Sequence, residues 1–231
     1  MDTPQTFARA VSARGEVVLR RHPGGTLELR VNGVFVMDTA HTNTERFLAE
    51  SALSAVGHPR RVFVGGLGLG YTLDAVLLHP GVEQVDVVEI EPAVVAWMTD
   101  GTVPHGPTLL RDPRVRLTTG DARAYLDEIT HTYAAVLLDV DNGPAYLVHD
   151  ANEPVYAAPF LRRCVARLAP GGVLAVWSST SSPELERTLR AVAGSCAVRR
   201  LPVDLDGRDE AYTVFIAPDP ASSALGRSLP A

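Results

Sequence analysis

One stretch, Arg61 to Glu91 (RVFVGGLGLGYTLDAVLLHPGVEQVDVVEIE), constrains the fold more than any other part of the chain. Arg61 to Val64 is a short β-branched and aromatic run, the pattern of a buried parallel strand. Gly65, Gly66, Gly68 and Gly70 follow, letting the backbone turn sharply and approach a ligand that side chains would hold off. Tyr71 to Leu78 carries apolar residues at helical spacing, and His79-Pro80-Gly81 ends it. Gln84 to Ile90 is a second apolar strand, with Glu89 about twenty residues beyond the glycines, where a carboxylate accepts from the hydroxyls of an adenosine ribose. Strand, glycine turn, helix, strand and acid in this order predict a nucleoside-binding unit; the alternative is a bare packing turn. The turn reads G-x-G-x-G rather than G-x-G-x-x-G, which points away from NAD and towards S-adenosylmethionine or a derivative.

Ahead of this unit, Glu16 to Arg20, Thr26 to Val31 and Val34 to Met37 read as short strands, joined at His22-Pro23-Gly24-Gly25 and at the hairpin signal Asn32-Gly33. Residues 1–41 are expected to form a small antiparallel β region, with the main domain over 42–218 and a flexible Pro-, Ser- and Ala-rich tail over 219–231. Thr42-Asn43-Thr44-Glu45 reads as a capping box opening a helix to about Val56, with Phe47, Leu48, Ala52 and Leu53 towards the core.

Beyond the nucleotide unit the alternation continues. Helices are expected from Glu91 to about Met98, from Gly120-Asp121-Ala122 to near Ile129, from Val155 to Leu168 and from Pro183 to Ala193. Strands are expected at Val115 to Thr118, Ala134 to Leu138 and Val173 to Trp177, with a closing hairpin of Val198 to Val203 and Ala211 to Ala217. Thr99 to Pro113 and the segment from Val140 to Pro154 read as loops. This is the pattern of an α/β fold, a Rossmann-like doubly wound parallel sheet whose ligands sit at the carboxyl ends of the strands.

Three acids fall at those ends. Glu89 closes the second strand, Asp121 follows the third and Asp139 closes the fourth, so they would line one crevice. Glu89 would take the ribose; Asp121 would accept from an adenine amino group, cap the next helix, or do both. Asp139 and Asp141 flank Val140, where a carboxylate takes a proton from an attacking amine or holds a cation; a polar strand end before the Asn142-Gly143 turn is the plainer alternative. Asp204, Asp206, Asp209 and Glu210 sit in the last hairpin connection, as a solvated turn or an acidic rim. His41, His131 and His149 lack metal-ligand spacing, so no metal site is expected. His149-Asp150 reads as loop surface or a lid element. Trp177 reads as core, and Trp177 and Tyr146 are the aromatics that could stack on a base.

Composition narrows the partners. With 27 acids against 21 bases and no basic cluster, nucleic acid is not the expected partner. No apolar run is long enough to cross a bilayer and the N-terminus lacks a signal-peptide core, so neither a membrane nor secretion is expected, and the cytoplasm is the expected compartment. Cys164 and Cys196, the only cysteines, read as reduced core thiols.

With these residues in place, the chain resembles the spermidine synthases, the polyamine aminopropyltransferases, over roughly residues 27 to 200. The N-terminal hairpins, the helix bearing Glu45, the strand-end acids, the run DPRV-x-L-x-x-GDA from Asp112 to Ala122, the Asn142-Gly143-Pro144-Ala145 spacing and LAPGGV from Leu168 carry the likeness. The resemblance implies a β-domain followed by a Rossmann-like domain, usually a homodimer. It also implies transfer of an aminopropyl group from decarboxylated S-adenosylmethionine to a small-molecule amine. By resemblance Gly65, Gly66, Gly68, Gly70, Glu89, Asp121 and Ala122 would bind the donor, and Asp139, with Asp141, would serve the amine. Three positions depart from that pattern: Gly68 stands where the family has an Asp, Asn43-Thr44 replaces a Tyr-His or Tyr-Gln pair, and Asp139-Val140-Asp141 shortens an Asp-x-x-Asp-Pro. Gly68 keeps intact S-adenosylmethionine open as the donor. A methyltransferase acting on a small molecule and a non-catalytic nucleoside-binding homologue are the alternative readings.

Overall fold

The computed structural model describes residues 3–140, 142–144, 147, 150–205 and 208–220, without the side chains at 150–152 and 203–210. Asp141, Tyr146, His149, Asp206 and residues 221–231 lie outside the described residues, as do the side chains of Asp150, Asp204, Asp209 and Glu210.

The chain opens with β1 (Gln5–Ser12), β2 (Gly15–Arg21), β3 (Leu27–Val31) and β4 (Val34–Asp38), an antiparallel meander in sequence order. Asn32 and Gly33 both take positive φ, as a two-residue turn between β3 and β4 requires. β1 was not expected from the sequence. It is an edge strand whose residues are exposed or half-buried, so it lacks the apolar alternation that marks a strand packed on a core.

Helix α1 (Asn43–Ser54) follows. The expected capping box does not form: Thr42 makes no side-chain cap bond, and Thr44 Oγ1 instead donates to Glu45 Oε2 at 2.7 Å. Leu48, Ala52 and Leu53 are buried as the spacing predicts, and Phe47 is partly buried against the same core.

The main sheet then alternates with helices: β5 (Arg61–Gly65), α2 (Tyr71–Leu78), β6 (Gln84–Glu89), α3 (Pro92–Asp100), α4 (Gly106–Leu110), β7 (Val115–Thr119), α5 (Ala122–Glu128) and β8 (Tyr133–Leu138). A 3-10 turn (Asp150–Tyr156) leads into α6 (Ala158–Ala166), β9 (Leu168–Ser178), α7 (Pro183–Ala193), β10 (Ala197–Leu205) and β11 (Arg208–Pro218). Two expectations need correcting. The Gly- and Pro-containing loop after α3 holds the short helix α4, with Pro at its start, where a missing N–H does no harm. The helix expected from Val155 begins at Ala158 instead: Val155 and Tyr156 belong to the 3-10 turn, and Ala157, with extended backbone, is the N-cap of α6, which has Pro159 in its first turn.

Strand order is β10-β11-β9-β8-β5-β6-β7. β9, β8, β5, β6 and β7 run parallel, and at the β9 edge β11 pairs antiparallel to β9 and β10 antiparallel to β11. The chain runs from β5 through β6 to β7 on one side and then crosses back to β8 on the other side of β5, so a crevice opens where the carboxyl ends of β5 and β8 part. Both faces of the sheet are covered. Phe63, Val136, Leu138 and Phe215 pack with α5, α6 and α7, while Val62, Val64, Leu137 and Trp177 share a core with α1, α2 and the N-terminal sheet residues Val17, Leu19, Leu29 and Met37.

Candidate functional site

The glycine turn brings two acids to the crevice. Glu89, at the end of β6 and 7% exposed, is held by the turn's backbone: Oε2 accepts from Leu67 N at 2.8 Å and Gly68 N at 3.3 Å, and Oε1 accepts from Glu91 N at 2.8 Å. Burial pushes its pKa up, three N–H groups hold it down and the nearby Glu91 charge adds to the rise. Asp139 follows β8, its N–H donating to Gly65 O at 2.8 Å and its Oδ2 accepting from Thr72 Oγ1 of α2 at 2.6 Å. Burial pushes the Asp139 carboxyl up to about 6, against the Thr72 hydrogen bond and with the Glu89 charge. The turn tolerates only glycine at position 66, where φ is +94° and a Cβ would stand 1.9 Å from Asp139 O.

Asp121 caps α5 and accepts from Arg123 N at 2.8 Å. Arg123 Nη2 also donates to its Oδ2 at 2.7 Å, and these bonds outweigh burial and hold the Asp121 carboxyl below the usual range. The cap reading is therefore realised, and Asp121 still faces the crevice.

Two cavities meet here. The first, about 130 Å³, is lined by Gly66, Gly68, Glu89, Asp121, Ala122 and Asp139. Gly65 and Gly70 do not reach it; Gly65 ends β5, and Gly70 caps α2 with φ +87°. The roof comes from the N-terminal sheet, through Arg14, Leu29, Val31, Val36 and Met37. That sheet is tied down by Arg14 Nε to Glu91 Oε1 at 3.2 Å, Ser12 Oγ to Glu91 Oε2 at 3.2 Å, and Asn142 Nδ2 to Phe35 O at 2.9 Å. Met37 Sδ accepts from Leu69 N at 3.2 Å and stands 2.6 Å from where a Cβ on Gly68 would be, so it occupies the space of a side chain there.

The second cavity, about 390 Å³, is walled by Phe35, Val36, Met37, Trp177, Pro202 and Tyr212, with His41, Asn43, Thr44 and Glu45 at its polar side. Val36, Met37, Glu45 and Trp177 line both cavities and form the partition between them. Trp177 meets Tyr212 edge to face, at 5.2 Å between ring centroids. Among the described residues, its buried indole N–H has no hydrogen-bond acceptor.

Glu45, 6% exposed, is the carboxylate that sequence reasoning assigned to a helix cap. Burial, and then the Asp139 charge, push its carboxyl up to about 7. Its pattern in the sequence suits a capping box, and nothing local distinguishes a carboxylate that turns back to its helix from one that turns into a cavity. Met37 and Arg14 were missed for the same reason, because their roles depend on how one sheet docks on the other. Among the described residues no group of three or more His, Cys, Asp and Glu is arranged to hold a metal ion, and no helix is long and apolar enough to cross a membrane.

The model of the spermine/spermidine synthase domain matches residues 41–193. The chain belongs to this family. Among its relatives, polyamine aminopropyltransferase 2 of Pseudomonas aeruginosa is 34% identical over 156 residues, covering 63% of this chain and 43% of the relative. Putrescine N-methyltransferase 2 of Nicotiana attenuata is 29% identical over 151 residues, 61% of this chain and 38% of the relative. The chain thus spans less than half the length of these curated relatives. Among solved structures, a spermidine synthase in complex with the transition state analogue AdoDATO superposes with a TM-score of 0.81 at 16% identity, covering 93% of this chain and 74% of that one. The spermidine synthase of Thermotoga maritima gives 0.76 at 16% identity, covering 93% of this chain and 73% of that one. These structural likenesses establish the spermidine-synthase fold.

Proposed function

We propose that the protein is a transferase that moves an alkyl group from an S-adenosyl sulfonium, decarboxylated S-adenosylmethionine or S-adenosylmethionine itself, to a small-molecule amine. The observation that carries this reading is that Glu89 and Asp139 line one cavity at the carboxyl ends of the parallel strands. Each acid is fixed by hydrogen bonds from the glycine turn or the helix after it. In this reading Glu89 accepts from the ribose hydroxyls with its remaining lone pairs, Gly66 and Gly68 let the donor lie against the backbone, and Asp121 with Ala122 borders the adenine.

A sulfonium donor brings its own activated carbon, so the protein's task is to align a neutral amine and exclude water. Asp139 takes one proton from the incoming ammonium; the freed nitrogen lone pair attacks the carbon beside sulfur. The carbon–sulfur bond breaks onto sulfur to give a neutral thioether, and nitrogen carries the positive charge. A carboxyl raised to about 6 suits that proton transfer near neutral pH. Asp141, two residues on, is proposed to help position the amine.

Methyl transfer is the second reading, favoured by Gly68, which carries no acid to hold a donor's tail amine, with Met37 filling the space beside it. Homodimeric assembly through the open edge of β1, and a cytoplasmic setting, belong to the same proposal; light scattering on the eluting protein tests the dimer.

Product analysis by mass spectrometry tests the transfer. Incubation with either donor and a mixed amine pool is expected to give amine-dependent methylthioadenosine from the decarboxylated donor, or S-adenosylhomocysteine from the intact one. Neither thioether, despite tight binding of both donors, would leave a nucleoside-binding homologue.

A further inference from the structure

Glu45 is a buried carboxylate beside another carboxylate, with no cation bonded to it among the described residues. The chain contains no lysine, and the neighbouring Arg46 is engaged elsewhere, with Nη2 2.6 Å from Asp74 Oδ2. Thr44 Oγ1, at 2.7 Å, is the side-chain donor to Glu45 Oε2. The other charged or titratable groups that act on it are Asp139 from the end of β8, Asp38 from the end of β4, and Tyr71 from the start of α2. Asp38 in turn holds His41, with Nδ1 3.0 Å from Oδ2. A carboxylate so placed destabilises the empty protein, because burial and like charge both oppose ionisation. Within a partition between two cavities, that arrangement suits a residue whose counter-ion arrives with a ligand.

Resting on the transfer reading, we infer that Glu45 is a positioning residue that binds the ammonium of the acceptor amine. It receives the ammonium from the aromatic cavity and holds it at the partition, within reach of Asp139. The apolar walls of Phe35, Trp177 and Tyr212 take the carbon chain of the amine. Glu45 makes an ion pair and keeps no proton through the reaction; Asp139 alone accepts the proton that frees the attacking lone pair.

The test measures amine binding to the thioether-loaded protein by calorimetry at pH 8, with 1,4-diaminobutane and n-butylamine as probes. Glu45→Gln is expected to weaken both amines at least tenfold and to change methylthioadenosine affinity by less than twofold. In turnover it should raise KM for the amine far more than it lowers kcat. Thr44→Val, which removes the hydroxyl that orients the carboxylate, should weaken the amines about threefold. Wild-type amine affinity in Glu45→Gln, or no binding of either amine to the wild-type protein, would overturn the inference. Wild-type protein that binds amine through Glu45 yet releases no thioether would sink the transfer reading and leave the ammonium site standing.

Discussion

Glu45 and Glu89 are buried and Asp139 is half-buried, all three lining one pair of cavities, and desolvation raises each above its ordinary pKa. The sign of the consequence is fixed. Where the folded protein keeps a proton that the unfolded chain has released, the folded state binds more protons, and stability falls as pH rises. For Glu45 that window runs from its ordinary 4.5 to about 7, and for Asp139 from 3.8 to about 6. Glu45→Gln should therefore be more stable than wild type above pH 7, by on the order of 3 kcal/mol relative to their difference near pH 4. Urea unfolding of both proteins across pH 4 to 8 checks this, and parallel stability profiles would contradict it. Glu89→Gln should weaken methylthioadenosine binding more than tenfold while leaving the protein folded, since an amide cannot replace the carboxylate towards both backbone N–H groups and ribose hydroxyls; unchanged affinity in calorimetry would overturn the ribose assignment. Asp139→Asn is expected to abolish turnover and spare donor binding, as single-turnover assays and calorimetry together would show.

At the scale of elements, the glycine turn works because its glycines have different neighbours. A Cβ at position 66 would strike the Asp139 carbonyl at 1.9 Å, a backbone atom that cannot move without parting β5 from β8. At position 68 the obstacle is Met37 Sδ at 2.6 Å, part of a side chain that can swing aside. Gly66→Ala is expected to destabilise by about 3 kcal/mol or more, through a positive φ and a main-chain clash together. For Gly68→Ala the expectation is about 1–2 kcal/mol, for the left-handed backbone and a displaced methionine. Chemical denaturation ranks the two variants, and equal losses would mean that the Met37 contact is as rigid as the backbone one. The strand–turn–helix–strand unit was legible from sequence because these elements carry period and punctuation locally. Strand β1 was not, because an edge strand facing solvent needs no apolar pattern, and α4 was hidden by its Gly-Pro start.

Across the whole molecule, the N-terminal sheet and the main sheet share one apolar core, in which Val17, Leu19, Leu29 and Met37 pack with Leu48, Leu69 and Val64. That sheet also roofs the donor cavity. Removing residues 1–40 is thus expected to leave a protein that binds no donor and lacks a cooperative thermal transition, because the faces of α1 and the glycine turn would be stripped of cover. Circular dichroism melts of the shortened chain test this; a sharp transition at the wild-type Tm would show that the main domain stands alone.

The sequence by itself determined the order of strands and helices apart from β1 and α4, the parallel sheet, the glycine turn, and the three acids at strand ends, because periodicity, turn chemistry and spacing act between residues near one another in the chain. It also carried the family likeness, through motifs that sit on those same ends. Only the tertiary structure decided that Glu45 turns from its helix into a cavity wall, that Met37 fills the space beside Gly68, that Arg14 reaches Glu91, and that Trp177 divides two cavities. Each of these joins residues dozens of positions apart, and their proximity follows from one sheet packing on another, which no local pattern encodes.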